Sequence, residues 1–121
     1  MRGTPIEVRL AVLVGAVGGL LFVVEGLIRW QGDGDPSWIK FPVILLVLEL
    51  LVAGGLVAGL RLVRPVGAVV YALVALVHLL AVLNEGPAWV RVLSGLLSAL
   101  HVFGVVLLNT RPSRLHFGGD R

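Results

Sequence analysis

Four ionisable residues stand inside long apolar runs of the sequence, one in each run. A titratable side chain is costly inside a membrane, so it normally faces protein or water and is a candidate for function. Two of these residues are carboxylates and two are imidazoles, the groups that hold protons or cations and bind divalent metals. They are Glu25, Glu49, His78 and His101.

The apolar runs predict the elements that position these groups. Residues 41–60 are twenty residues with Glu49 as their single charge, and as a helix they would span about 30 Å, the thickness of a bilayer's hydrocarbon core. Similar runs predict helices at about residues 5–29, 41–63, 66–84 and 89–109. Short connections make neighbouring helices antiparallel. We therefore expect an all-α integral membrane protein, a single transmembrane domain over residues 1–121 folded as a four-transmembrane-helix, up-down-up-down bundle.

The composition supports a membrane protein. Of 121 residues, 58% are hydrophobic and 14% are charged, whereas a soluble domain is about a quarter charged. Nothing is left over for a soluble catalytic domain, so the sequence leans away from an enzyme. The chain has no cysteine, which excludes disulfides and thiolate metal sites. The basic residues stand at the ends of apolar runs, where they indicate topology rather than nucleic-acid binding.

The distribution of Lys and Arg predicts the orientation of the bundle. Cytoplasmic loops of membrane proteins are enriched in these residues. The side with both termini would hold Arg2, Arg9, Arg61, Arg64, Arg111, Arg114 and Arg121, and the other side Arg29, Lys40 and Arg91. We therefore expect a multi-pass protein of the cell membrane with both termini in the cytoplasm, an outer loop at 30–40 and a cytoplasmic tail at 110–121. The outer side would also carry Asp33, Asp35, Glu85 and an aromatic belt of Trp30, Trp38 and Trp89.

Helical spacing places the polar residues on inward faces. Counted from the outer helix ends at about 1.5 Å per residue, Glu25 lies about 6 Å deep, His78 about 9 Å, Glu49 about 12 Å and His101 about 18 Å. Polar residues in the third and fourth helices recur at spacings of three, four and seven, which keeps them on one side of each helix. The first helix has a similar stripe, Ala11, Gly18 and Glu25. The sequence predicts an interior polar cleft, open to the outer side and lined by Glu25, Glu49, His78, Tyr71, Ser94, Ser98 and His101.

Small residues predict close helix contacts. Gly15 with Gly19, and Gly55 with Gly59, are two pairs with the spacing that lets membrane helices approach closely. Packing inside the bundle is the interpretation we favour for them. An interface between copies of the chain is the alternative.

Three kinds of chemistry fit the polar residues. A divalent metal could be held by Glu25, Glu49 and His78, although no local ligand pair such as HxxxH or ExxH occurs. A bis-histidine haem is disfavoured because the counted depths of the two histidines differ by about 9 Å, and no cofactor is identified. Proton or cation handling is the second possibility. The third is a static pair, with Glu49 or Glu25 protonated or bonded to His78, that fixes helix register.

The sequence therefore leaves three functions open. It favours a non-enzymatic accessory or interaction subunit of a membrane complex, with membrane lipids and a homo-oligomer or larger complex as partners. The first alternative is a small proton- or cation-coupled transporter that uses the outward-facing Glu/His cleft. The second alternative is a membrane-embedded metal or quinone site.

In length and helix number the chain resembles the small multidrug resistance transporters. Their essential glutamate stands near the middle of the first helix, whereas Glu25 stands near the outer end. The small fluoride channels have the same helix number, but this sequence has no counterpart of their Asn and Thr pattern. The sequence therefore identifies no family.

Overall fold

A computed structural model describes residues 4–84 and 86–117 as an all-helical protein. Its helices are α1 (Ile6–Asp33), α2 (Ser37–Ala58), α3 (Val63–Leu83), α4 (Ala88–Leu108) and the short α5 (Arg111–His116). The first four are each long and apolar enough to cross a membrane, which confirms the predicted fold class. We call the end with Thr4, the α2–α3 turn and α5 the terminal end, and the opposite end the loop end.

The connection between α1 and α2 is much shorter than the sequence predicts. The expected loop at 30–40 is reduced to residues 34–36, because α1 continues to Asp33 and α2 begins at Ser37. Gly34 ends α1 with φ 76°, a left-handed conformation that glycine adopts without strain. Pro42, expected at the start of the helix, instead lies inside α2.

Side chains of the short loop fix the start of α2. Asp35 accepts a hydrogen bond from the backbone N–H of Ser37, which holds the pKa of its exposed carboxyl below the ordinary value. Asp33 accepts bonds from the backbone N–H of Asp35 and from the indole N–H of Trp38. These local bonds replace the longer loop. As a result α2 begins at Ser37, about one helical turn earlier in the sequence than predicted.

The α2–α3 turn is also closed by glycine. Gly59 has φ 73°, and the N–H of Leu60 bonds to the carbonyl of Gly55, the pattern of a Schellman cap. Gly55 packs against Val63 at the start of α3, where a Cβ would meet the Val63 side chain at 2.6 Å. Pro65, predicted to precede the third helix, lies within its first turn, a position where its missing N–H costs little.

Two helical hairpins make up the bundle. Helices α1 and α2 pack against each other, as do α3 and α4, and the hairpins meet chiefly through α1 and α4. The α2–α3 seam is the least closely packed of these contacts. An apolar core fills the terminal half between the helices; its buried residues are Val8, Ala11, Val14, Val52, Leu56, Tyr71, Leu107, Leu108 and Phe117.

The outward faces are apolar. In the most apolar window of each long helix only 33–39% of residues are buried inside the bundle, and exposed side chains such as Leu13, Leu51 and Val92 cover the rest. A surface of this kind is stable in lipid but not in water. The four helices therefore form a multi-pass membrane bundle, with Trp30, Trp38 and Trp89 all at the loop end.

Part of the predicted tail is folded. Thr110 caps α5 by accepting from the N–H of Ser113, and Phe117 is buried in the core. His116 Nε2 lies 3.1 Å from the carbonyl oxygen of Leu56, to which it donates a hydrogen bond. The terminal end is thus covered by α5. The predictions made for Arg2, Glu85, Arg121 and the tail from residue 118 lie outside the described residues.

Candidate functional site

Glu49 and His101 form a hydrogen-bonded pair in the middle of the bundle. Glu49 Oε1 lies 2.6 Å from His101 Nε2, and the two residues are 1% and 0% exposed. The second carboxylate oxygen, Oε2, has no hydrogen-bond partner. The sequence expectation that a carboxylate would pair with His78 differs from this geometry, in which His101 is the partner.

The hydrogen bonds of His101 define how many protons the pair holds. Its Nδ1 lies 2.8 Å from the carbonyl oxygen of Leu97, which can only accept, so Nδ1 carries a proton. The contact between Nε2 and Glu49 Oε1 then contains one further proton. That proton belongs either to an imidazolium that donates to a carboxylate or to a carboxylic acid that donates to a neutral imidazole. In both forms the pair has no net charge.

Consecutive glycines of α1 make room for the pair. A Cβ on Gly18 would lie 2.6 Å from His101 Cε1, and a Cβ on Gly19 would lie 2.6 Å from Glu49 Oε2. One turn earlier, Gly15 lies against the Tyr71 hydroxyl. Gly15 and Gly19 therefore contact residues inside the bundle, whereas Gly55 and Gly59 serve the α2–α3 turn.

A mostly apolar cavity that contains a few polar groups opens at the loop end above the pair. Its volume is about 310 Å³, and all four long helices contribute to its walls. Three residues of the predicted cleft line it, namely Glu25, His78 and Ser94, with exposed fractions of 3%, 1% and 1%. His78 Nε2 and Ser94 Oγ are buried without a hydrogen-bond partner. Two predicted polar residues of the cavity thus have unused hydrogen-bonding groups.

Aromatic and basic residues that the sequence analysis assigned elsewhere also line this cavity. Phe22 and Phe41 form part of its walls, and Arg29 and Trp38 lie at its outer edge. The Arg29 guanidinium stands 3.6 Å from the centroid of the Trp38 ring, a cation–π contact. Sequence reasoning treated Arg29 and Trp38 as interfacial anchors. Only the short α1–α2 loop, which the sequence did not predict, brings them together here.

His78 connects the cavity to the buried pair. Its ring lines the cavity, and its centroid is 5.7 Å from that of His101. The Phe22 ring packs edge-on against His78 with centroids 4.7 Å apart. The order from the loop end inwards is therefore the cavity with Glu25, then His78, then the Glu49–His101 pair.

Two residues predicted to line the cleft, Tyr71 and Ser98, instead form hydrogen bonds with backbone carbonyls. The Tyr71 hydroxyl donates to the Ala11 carbonyl at 2.7 Å, and the ring belongs to the apolar core beneath the pair. Ser98 Oγ donates to the Ala75 carbonyl at 2.8 Å. The structure thus separates the seven predicted residues into cavity (Glu25, His78, Ser94), buried pair (Glu49, His101) and backbone-bonded residues (Tyr71, Ser98).

The predicted difference in depth between Glu49 and His101 was wrong because α2 begins earlier than predicted. Counted from the observed helix starts, Glu49 lies about 18 Å along α2 and His101 about 20 Å along α4, so the two are level. The earlier start of α2 accounts for the difference. The rings of His78 and His101 approach because helical side chains lean towards the N-terminus, and α3 runs opposite to α4.

The metal candidates do not converge. Within residues 4–84 and 86–117, no three His, Asp or Glu side chains are grouped so that they could hold a metal ion. Glu25 and His78 line the cavity, whereas Glu49 is engaged below it by His101. Both ring nitrogens of His101 are also occupied, by Leu97 and Glu49, so it has no nitrogen free for a haem iron.

Comparison of the chain with protein-family models, curated proteins and solved structures finds no match. The residues of the cavity and of the pair are therefore the features from which function is inferred.

Proposed function

We propose that this chain is a small, non-enzymatic membrane carrier in which the Glu49–His101 pair holds a proton and the loop-end cavity holds the transported ligand. The observation that carries the proposal is the buried 2.6 Å contact between Glu49 Oε1 and His101 Nε2, a distance at which the two groups share a proton. It lies inside an apolar bundle, and His78 connects it to an open cavity.

The electrostatics of the pair favour coupling. With one shared proton the pair is neutral, and a second proton would give it a charge of +1, while loss of the proton would give −1. An uncompensated charge is costly inside a membrane bundle. A change of protonation must therefore be accompanied by a rearrangement of the helices or by a ligand that compensates the charge, which is the requirement of a coupled carrier.

The asymmetry of the bundle supports a carrier rather than a continuous pore. The loop-end half contains the cavity, whereas the terminal half is filled by the apolar core and covered by α5. A ligand in the cavity therefore has no direct path through the terminal half. We place the loop end on the outer face of the cell membrane and both termini in the cytoplasm, on the strength of the Lys and Arg distribution.

Infrared spectroscopy of the protein in liposomes tests the proton-holding role. A carboxylic acid and a carboxylate absorb at different frequencies, so cycling the bulk pH between about 5 and about 9 should produce a reversible carboxyl signal when the pair gains or loses a proton. Glu49→Gln should remove it, because an amide can still accept from His101 but cannot bind the proton. Glu7→Gln, at the terminal end of α1, should leave it unchanged.

Glu25→Gln tests whether part of the carboxyl signal comes from Glu25, the buried carboxyl that lines the cavity. Glu49 does not line it. An unchanged carboxyl signal in the Glu49→Gln protein would mean that Glu49 keeps one protonation state throughout. The pair would then be a static structural contact, and the carrier proposal would be overturned.

The accessory subunit that the sequence favours is our second candidate. It is supported by the small share of the described residues that lies outside the four long helices. We rank it second because it gives the cavity and the buried pair no role. Recovery of a larger stoichiometric partner after gentle detergent extraction would favour it over the carrier.

A further inference from the structure

An apolar groove runs along the α2–α3 seam on the outside of the bundle. Its volume is about 340 Å³, and it is lined by side chains that include Phe41, Leu45 and Leu48 of α2 and Leu73, Val77 and Leu80 of α3. The groove lies where α2 and α3 pack less closely than α1 with α2, α3 with α4 or α1 with α4. In a membrane it faces the lipid chains.

The groove and the cavity are adjacent. Phe41 and Val77 line both of them, so the cavity borders the lipid-facing groove between α2 and α3. A molecule whose polar part occupied the cavity could extend an apolar chain along the groove. Such a molecule would be dissolved in the bilayer rather than in water.

The cavity residues define the polar part of this molecule. The Ser94 hydroxyl is a donor without an acceptor, and His78 presents a buried nitrogen without a partner. Glu25 and Arg29 both line the cavity with opposite formal charges, so together they favour a head without net charge. The rings of Phe22, Phe41 and Trp38 around the cavity favour a flat head.

We infer that the cavity and the α2–α3 groove form one binding site for a membrane-dissolved amphiphile, with a flat, uncharged, hydrogen-bond-accepting head of the quinone type in the cavity and an alkyl chain in the groove. This inference specifies the ligand class of the proposed carrier. Binding is the claim, and no electron transfer is part of it.

Photolabelling tests this site. The probe is decylubiquinone with a diazirine on its alkyl chain, added to the full chain in lipid nanodiscs, and the labelled residues are mapped by mass spectrometry. Labels should concentrate on the groove-lining residues of α2 and α3. Unlabelled decylubiquinone should compete, whereas decylamine and decanoate, which have the same chain length and charged heads, should not compete at equal concentration.

Matched serine variants test the head. Ser94→Ala removes the unpaired hydroxyl of the cavity and should weaken competition by decylubiquinone about 5- to 10-fold, the usual effect of one hydrogen bond. Ser98→Ala is the control, because Ser98 bonds to the Ala75 carbonyl and does not line the cavity. It should leave competition unchanged.

Three outcomes would overturn the inference. Labels spread evenly over all lipid-facing helices would indicate ordinary lipid contact. Stronger competition by decylamine than by decylubiquinone would mean that Glu25 selects a cation. Equal effects of Ser94→Ala and Ser98→Ala would mean that the head of the ligand does not bind in the cavity. The carrier proposal fails separately, through an unchanged infrared signal in Glu49→Gln, so the two failures are distinguishable.

Discussion

Burial of the Glu49–His101 pair carries a free-energy cost that apolar side chains in the same place would not have. Burying two titratable groups costs several kcal/mol, which their attraction offsets only with good geometry and further hydrogen bonds. Here one carboxylate oxygen has no partner. Apolar residues of similar size would fill the same space without that cost. This cost agrees with the proposed role of the pair in holding a proton, and a static pair that fixes helix register is the alternative.

Substitution of one or both members of the pair separates these two explanations. Glu49→Met leaves His101 Nε2 without an acceptor and should lower the free energy of unfolding by about 3–5 kcal/mol. Glu49→Met combined with His101→Leu removes both polar groups and should recover most of that loss, to within about 1 kcal/mol of the original protein. Reversible denaturation in mixed micelles gives both values.

A double variant no more stable than Glu49→Met would show that the pair is required for folding. The infrared carboxyl signal of Glu49 should be absent from the double variant even if its stability is restored. Function and stability would then be assigned to different properties of the same two residues.

At the residue scale the sequence predicted which ionisable residues lie inside the helices, but not which of them form hydrogen bonds with each other. Glu25, Glu49, His78 and His101 are conspicuous because each interrupts an apolar run. Which carboxylate meets which imidazole depends on helix starts and on side-chain direction, and the sequence predicted the start of α2 four residues too late. An error of four residues is about 6 Å along a helix, which is enough to change the partner of Glu49.

At the scale of elements, α1 is the helix that positions the site. Its small residues lie in sequence order against Tyr71, His101 and Glu49. These contacts bring α1 close to α2 and α4 at the level of the pair, and the Tyr71 side chain of α3 reaches Gly15 one turn away. The close approach is possible only because Gly15, Gly18 and Gly19 have no side chain.

Alanine substitutions in α1 and α2 test this positioning. Gly18→Ala and Gly19→Ala would each place a Cβ at 2.6 Å from an atom of the pair, so each should destabilise the fold by about 1–3 kcal/mol through overpacking. Gly54→Ala is the matched control, because nothing lies within 4 Å of its Cβ position. It should be neutral or stabilising by up to about 1 kcal/mol, since alanine favours helix over glycine.

Thermal unfolding in detergent measures the stability of each of the three variants. Infrared spectra of the Gly19→Ala protein should also show a shifted carboxyl band, because the new methyl group displaces Glu49 Oε2. If Gly18→Ala and Gly19→Ala unfold at the same temperature as Gly54→Ala, α1 does not fix the geometry of the pair.

Helix identities were predictable from the sequence, while helix ends were less so. Mean hydropathy separates the four runs clearly. The polar residues from Gln31 to Lys40 predicted a loop, yet most of them are helical, because Gly34 ends α1 late and Asp35 starts α2 early. Such caps depend on single hydrogen bonds, which composition and periodicity do not reveal.

At the scale of the whole molecule, the two ends of the bundle differ in chemistry. The loop end has the cavity, the tryptophans and the acidic loop, whereas the terminal end has the apolar core and α5. A carrier of the proposed kind requires this polarity to be oriented in the membrane, because the face from which the ligand and the proton arrive follows from it.

Single cysteines test the orientation directly, since the natural sequence has no cysteine to remove. Asp35→Cys is exposed in the α1–α2 loop, and Arg111→Cys is exposed at the start of α5. A membrane-impermeant maleimide added to intact cells should label Asp35→Cys and leave Arg111→Cys unlabelled until the cells are opened, because the excess of Lys and Arg retains the terminal end in the cytoplasm. The reverse labelling pattern would place the cavity on the cytoplasmic face. The proposed carrier would then take its ligand from the cytoplasmic leaflet, and equal labelling of both variants in intact cells would mean that the bundle inserts in both directions.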